Sequence, residues 1–330
     1  MHKLISVVVA ACLLSWTALQ ASAETAASKA AAIYPVRPIT LVVPFAPGGP
    51  ADLAERLYAD AMSKDLGQPF IVANRPGADT AIAAQLVARA APDGYTLLFS
   101  TMGETMVINP ITMKNLPYKP EDFEPISLAG LNTSLLVVPA SGPETVQELI
   151  AYGRAHPGEL NYGAGIITTR LADYLFSKLA GIDAVFIPYK GSAEVAQGIL
   201  NGSIQYAIDG VSAHYSLIKA GKERALAKLN KRPLSSLPDL KPLDEVANMP
   251  QLGEISTWDG FVAPHGTPTA IVAQLQRSVA KAAEQDDVRQ KLLQFGIIAT
   301  SGTPEEFRSF MKSEFDKWSK VVEESGIEFN

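Results

Sequence analysis

The sequence predicts an α/β fold of two lobes with a cleft between them. Three observations predict it. Short apolar runs alternate with helix-periodic stretches, as in βαβ units whose sheet is flanked by helices. The alternation occurs twice, before and after an irregular middle at 101–133, where Asn109-Pro110, Leu116-Pro117 and Lys119-Pro120 resist helix. The chain then closes on a helical tail, and paired lobes of this kind bind ligands at the carboxyl ends of their strands.

The elements follow in order. Ile39-Thr40-Leu41-Val42-Val43 opens a buried strand over 39–45. Leu53, Leu57 and Ala61 then recur at helical spacing over 52–66, with Asp52 placed as the cap and Gly67-Gln68-Pro69 as the stop. A short strand at 70–73 leads through the turn Asn74-Arg75-Pro76-Gly77 to a helix capped by Asp79 or Thr80, and Pro92-Asp93-Gly94 turns the chain into a strand at 95–100. After the irregular middle the spacing predicts strands at 134–138, 160–163, 185–187, 203–208 and 224–229. Helices are expected at 144–155, from Thr168 or Thr169 onward, at 192–200 and at 212–220. The tail reads as helices at 268–283, 286–295 and 304–324, with Phe307, Phe310, Met311, Phe315 and Trp318 on one side of the last.

Composition narrows the function classes. Lys3, the apolar run from Leu4 to Leu14 and the small-residue site Ala21-Ser22-Ala23 predict a secretory signal peptide over 1–23, and the run is too short to span a membrane. Val9-Ala10-Ala11-Cys12 has the shape of a lipoprotein cleavage site, but apolar residues continue past it, so cleavage after Ala23 is expected and lipid anchoring at Cys12 is not. Cys12 is the only cysteine, which leaves the mature chain without disulfide, thiol nucleophile or thiolate metal site; a bacterial periplasm fits. The net charge of −6, with no basic cluster longer than Lys231-Arg232, argues against nucleic acid and anionic membranes as partners.

Catalytic chemistry has little support. There is no Gly-x-Ser-x-Gly elbow and no His-x-x-x-His pair, and Gly48-Gly49 lacks the Lys-Ser/Thr ending of a P-loop. His156 and His265 lie in turns; His214 is the one histidine to watch, because it follows a strand end, though a solvated helix-end histidine is the favoured reading. No nucleophile, base and orienter assemble, so no enzyme, cofactor or metal is expected. Four strand-end loops remain. The first holds Phe45, Ala46, Pro47, Gly48 and Gly49 and runs to Asp52. Its free backbone N–H groups and the following helix N-terminus can seat a carboxylate or phosphate, or the loop can serve as a plain turn. The others carry Thr101, Met102 and Glu104; Thr168 and Thr169; and Asp209. Four such loops around one cleft make a small-molecule site.

Several runs carry a family likeness: Tyr34-Pro35-Val36-Arg37-Pro38-Ile39, Val43-Pro44-Phe45-Ala46-Pro47-Gly48-Gly49, Asn74-Arg75-Pro76-Gly77-Ala78, Pro92-Asp93-Gly94-Tyr95, His156-Pro157-Gly158-Glu159-Leu160-Asn161-Tyr162-Gly163, Pro188-Tyr189-Lys190-Gly191 and Ala263-Pro264-His265-Gly266-Thr267-Pro268. In this order they resemble the Bug family, the extracytoplasmic receptors of tripartite tricarboxylate transporters. The resemblance implies a two-lobed periplasmic binding protein of the Venus-flytrap, class II-like kind, each lobe a parallel or mixed sheet flanked by helices. It implies that residues 34–133 plus 254–330 form one lobe and 134–253 the other. It further implies a monomer that captures a small organic carboxylate by lobe closure and delivers it to membrane subunits of a tripartite transporter. Presentation of ligand to a sensor kinase is an alternative, and a periplasmic enzyme on the same fold a more distant one. The 45–49 loop would grip the carboxylate through backbone groups and ordered water, and the loop after Gly163 would grip from the other lobe. Two places depart from the family pattern. Asp79-Thr80 stands where Gly-Gly is usual, and Gly163-Ala164-Gly165-Ile166-Ile167-Thr168-Thr169-Arg170 is one residue shorter and more apolar than its counterpart. Carboxylates at Asp79, Glu104 and Asp209 suit a ligand that carries an amine, amide, hydroxyl or aromatic group beside its carboxylate, and suit a tricarboxylate poorly.

Overall fold

The structure, a computed structural model, describes residues 34–47, 50–253, 255 and 257–325; the signal peptide expected at 1–23, Cys12 with it, and Gly48 and Gly49 lie outside the described residues. Ile39–Val43 forms β1, with Leu41, Val42 and Val43 all buried, as a strand covered on both faces requires. The helix α1, Pro50–Leu66, follows, then β2, Phe70–Asn74; α2, Ala81–Ala88; and β3, Thr96–Thr101. β1 lies between β2 and β3 and is parallel to both.

The middle expected to be irregular is ordered. A π-helix spans Gly103–Ile108, and β4 runs ten residues, Phe123–Asn132. Prolines hide β4 in the sequence. Pro125 pairs with Val262 at a register shift, where a residue without an N–H costs the ladder little. The tail likewise holds two strands that helix periodicity does not reveal, β10 at Thr257–Pro264 and β11 at Ile297–Ala299. β10 is antiparallel to both β3 and β4, and the six-stranded sheet has the order β11-β4-β10-β3-β1-β2. A Cβ on Gly260 would come within 2.5 Å of the Phe307 ring, so only glycine lets α9, Pro304–Ser325, lie this close to β10. Tyr58, Phe99 and Phe261 pack edge-on or tilted, with ring centroids 4.6–6.0 Å apart, at the core of this lobe.

Beyond Thr133 the chain builds a second set of strands. There β5, Ser134–Pro139, lies between β8, Ala207–Gly210, and β9, Glu223–Lys228, antiparallel to both. The strands β6, Leu160–Ala164, and β7, Ala184–Pro188, form a parallel pair, and a bridge from Tyr162 to Tyr206 ties the pair to the chain entering β8. The longer helices here are α3, Val146–Ala155; α4, Ile167–Ala180; α5, Ser192–Leu200; and α6, Val211–Lys219. The chain returns to complete the first sheet and adds α7, Thr269–Glu284, and α8, Asp286–Gln294, before α9.

Candidate functional site

The β1–α1 turn is built by its neighbours. Pro44 ends β1, and Asn74 at the end of β2 donates from Nδ2 to the Phe45 carbonyl at 2.9 Å and to Asp52 Oδ1 at 2.8 Å. Arg56, one helical turn on, donates to both Asp52 oxygens at 2.9 and 3.0 Å. Asp52 therefore sits in the first turn of α1 and not at the cap, because the helix begins at Pro50. Arg56 balances its charge and Asn74 adds a hydrogen bond. Ala46 and Pro47 are exposed beyond the half-buried Phe45.

Beneath this turn lies a buried carboxyl pair. Glu55 is fully buried, with no hydrogen-bond partner for either oxygen, and burial holds its carboxyl well above the ordinary range, with Asp259 and Asp52 adding. Burial also pushes Asp259 up to about 6, against hydrogen bonds from Asn132 and Thr101. Thr101 thus points its hydroxyl at Asp259, and Met102 is packed into the core.

The β3 end leads into the π-helix, which carries Glu104. Ala78, Asp79 and Thr80 precede α2 with φ of 48°, 45° and 75°, three consecutive non-glycine residues in the left-handed region. Such strain persists only where the surroundings hold it. Here Asn109 Nδ2 donates to the Asp79 carbonyl, and Thr80 Oγ1 bonds Thr105 Oγ1 at 2.8 Å. Thr80 makes no side-chain cap bond to α2.

Glu104 reaches the second lobe. Its Oε1 accepts from the Ile167 N–H at 3.2 Å, and its Oε2 from the Thr168 N–H at 3.2 Å and Thr168 Oγ1 at 2.7 Å. These are the free donors of the first turn of α4, the place where a helix favours an anion. Glu104 is only 1 % exposed, and burial pushes its carboxyl up to about 7 against the Thr168 and Ile167 bonds, with the Asp79 charge adding. α4 starts at Ile167, so neither Thr168 nor Thr169 is its cap; Thr169 Oγ1 instead donates to the Ile166 carbonyl at 3.1 Å. A Cβ on Gly165 would stand 2.5 Å from Gly191, so the loops before α4 and α5 meet backbone to backbone.

Asp209 looks inward. Its Oδ1 accepts from Ser192 Oγ at 2.8 Å and from the Gly210 N–H at 2.7 Å. Its Oδ2 lies 3.3 Å from His214 Nε2, while His214 Nδ1 is 2.7 Å from Glu223 Oε2. His214 is fully buried, which corrects the reading of a solvated helix-end histidine. Burial alone would lower its pKa, but the two carboxylates outweigh this and raise it to about 9.

The structure thus joins Glu104 to Thr168, Asp52 to Phe45 through Asn74, and Thr101 to Asp259. It places Asp209 and Met102 in internal contacts. Sequence reasoning missed Asn74, Glu55, Asp259 and Glu223. Only Asn74 left a signal, the turn motif it opens. Among the described residues, no group of three or more His, Cys, Asp or Glu is placed to hold a metal ion, and no helix is long and apolar enough to cross a membrane.

Comparisons with known proteins agree with this architecture. The model of the TctC family, described as the tripartite tricarboxylate transporter family receptor, matches residues 54–327. Protein BugT of Bordetella pertussis is 33 % identical over 310 residues, covering 93 % of this chain and 94 % of its own. A Rhodopseudomonas palustris protein solved with adipate is 34 % identical, with a TM-score of 0.83 over 89 % of this chain and 99 % of that one. MatC of the same organism, solved with malate, is 31 % identical, with a TM-score of 0.78 over 88 % of this chain and all of that one (100 %).

Proposed function

The chain belongs to the tripartite tricarboxylate transporter receptor family, TctC, and on that premise we propose that it captures a small organic carboxylate between its lobes and delivers it to the membrane subunits of a tripartite transporter. The family is one of periplasmic solute-binding receptors. In this reading 1–23 is removed on export, 34–133 plus 254–330 form the first lobe, and 134–253 form the second. The observation that carries it is the β1–α1 turn. The acidic side chain of this turn, Asp52, is paired with Arg56 and hydrogen-bonded by Asn74, which supports the α1 N-terminus as the place for an incoming anion. The diacids held by the two R. palustris relatives support the ligand class.

Closure then follows from contacts available only when the lobes meet. Hydrogen bonds to a charged group contribute about 1.5–3 kcal/mol each, so two or three tip an equilibrium of a few kcal/mol. The test is a thermal-shift screen of purified mature protein against small mono- and dicarboxylates, amino acids and neutral sugars. A bound acid raises the melting temperature by mass action. A shift with neutral sugars and none with any acid overturns the proposal.

A further inference from the structure

A groove of about 520 Å³ lies between β9, the end of α6 and the loop at 236–240, with Asp239 exposed on its rim. Glu223 and Ser236 both line it. Each carries a buried polar atom, Glu223 Oε1 and Ser236 Oγ, that has no hydrogen-bond partner among the described residues. We propose that this groove is a binding site for a small primary amine with an apolar body, whose ammonium group bonds Glu223 Oε1 and Ser236 Oγ. The proposal goes beyond the carboxylate reading and does not depend on it, since the groove and the β1–α1 turn share no residue.

Charge is the first support. Asp209 and Glu223 share one imidazolium, that of His214, so the buried group is one positive charge short. The donors are unevenly spread over it. Asp209 also accepts from Ser192 Oγ and the Gly210 N–H, whereas Glu223 has His214 Nδ1 on Oε2 and nothing on Oε1. The missing cation is therefore wanted at Glu223, a residue 3 % exposed. Arg224 beside it does not serve, because its guanidinium donates to the Gly142 and Pro143 carbonyls at 2.9 Å. The second support is the pair of unbonded atoms. Glu223 Oε1 and Ser236 Oγ line one groove without bonding each other, so a donor group set between them satisfies both. An ammonium has three donors and no acceptor, and its third N–H is left for water or for Asp239 at the rim. Space is the third. A water takes up only about 30 Å³ and leaves the rest of the groove empty. Ile218, Ala225, Leu237 and Leu240 give that remainder an apolar wall, which suits a short hydrocarbon body.

The test titrates butylamine and cyclohexylamine calorimetrically into the mature protein, beside butanol and cyclohexanol, which keep the body and replace the head. The amines are expected to bind saturably at one site and about tenfold or more tightly than the alcohols. Two variants place the site. Glu223→Gln keeps an oxygen for His214 Nδ1 and removes the charge; Ser236→Leu removes the hydroxyl and fills the groove. Each should weaken amine binding by about tenfold or more. Ser236 lies in a loop outside the His214 group, so its variant carries the test even if Glu223→Gln folds poorly. Amines that bind no more tightly than the alcohols overturn the proposal, and so does an amine affinity that Ser236→Leu leaves unchanged. A crystal soaked in cyclohexylamine gives a direct check: the amine against Glu223 and Ser236 supports the site, and a water only between them overturns it. Neither result touches the carboxylate reading, which the acid screen decides by itself.

Discussion

Glu55 is a carboxyl group with no place to ionise. It lies three residues beyond Asp52, faces the sheet, and has neither oxygen bonded. Leaving a buried polar group unsatisfied costs about 1–3 kcal/mol, so Glu55→Leu is expected to stabilise the protein by about that amount, read as a higher urea midpoint at unchanged m. A lower midpoint would show that the carboxyl has a use the side-chain contacts do not reveal. Glu104 and His214 contribute to the pH dependence beside the buried carboxyls Glu55, Asp173 and Asp259, whose folded values are raised as well. Glu104 keeps its proton in the folded chain to about 7, against an ordinary 4.5, and His214 to about 9, against 6.5. Both folded values are raised. The stability each contributes is therefore full below its ordinary value and is lost as pH rises through the folded one. The melting temperature should fall in two steps, between pH 4.5 and about 7 and between pH 6.5 and about 9. Glu104→Gln should shrink the lower step, part of which belongs to Asp259, and His214→Gln should shrink the upper. His214→Gln should also cost about 3–5 kcal/mol at neutral pH, because it leaves Asp209 and Glu223 buried without their cation. A melting profile flat across both windows would contradict these assignments.

At the scale of the element, the β1–α1 turn depends on a residue outside it. Asn74 belongs to β2, yet it holds the Phe45 carbonyl and the Asp52 carboxylate. Asn74→Ala removes both bonds, so it should cost about 1–3 kcal/mol of stability and weaken acid binding by about tenfold, measured by denaturation and calorimetry. Unchanged binding would mean the turn keeps its shape without the brace. The same comparison shows what was legible beforehand. β1, α1, β5 and α5 follow from unbroken apolar runs or helical spacing, because local pattern suffices when neighbours along the chain share a face. β4 and β10 did not, since Pro125, Gly260 and Pro264 read as breakers until partner strands are present to pair with them. The site divides in the same way. The loops at strand ends could be named in advance, but the meeting of Glu104 with Thr168 joins residues 64 apart, and Asp209 turning to His214 depends on the burial of α6. Both are set by tertiary packing, which a single sequence does not display.

At the scale of the molecule, Glu104 is a bond between lobes. Glu104→Ala deletes three hydrogen bonds to α4, each worth about 1.5–3 kcal/mol when charged, so the ligand-free protein should expand and show a larger radius of gyration by small-angle scattering. An identical scattering curve would place the hold between the lobes elsewhere, for example in Lys178, which donates to the Glu324 carbonyl of α9 at 2.7 Å. The position of β10 has a consequence for how such a chain comes into being. β10 is not an edge strand added last to a finished sheet; it lies between β3 and β4 and joins them. During synthesis, or passage through a membrane pore from the N-terminus, the first lobe waits with β4 unattached until the whole second lobe has emerged. The chain therefore cannot lock early, and a nascent form halted between residues 132 and 257 leaves open the edges of β3 and β4 that β10 covers in the finished sheet, exposed to chaperones and proteases.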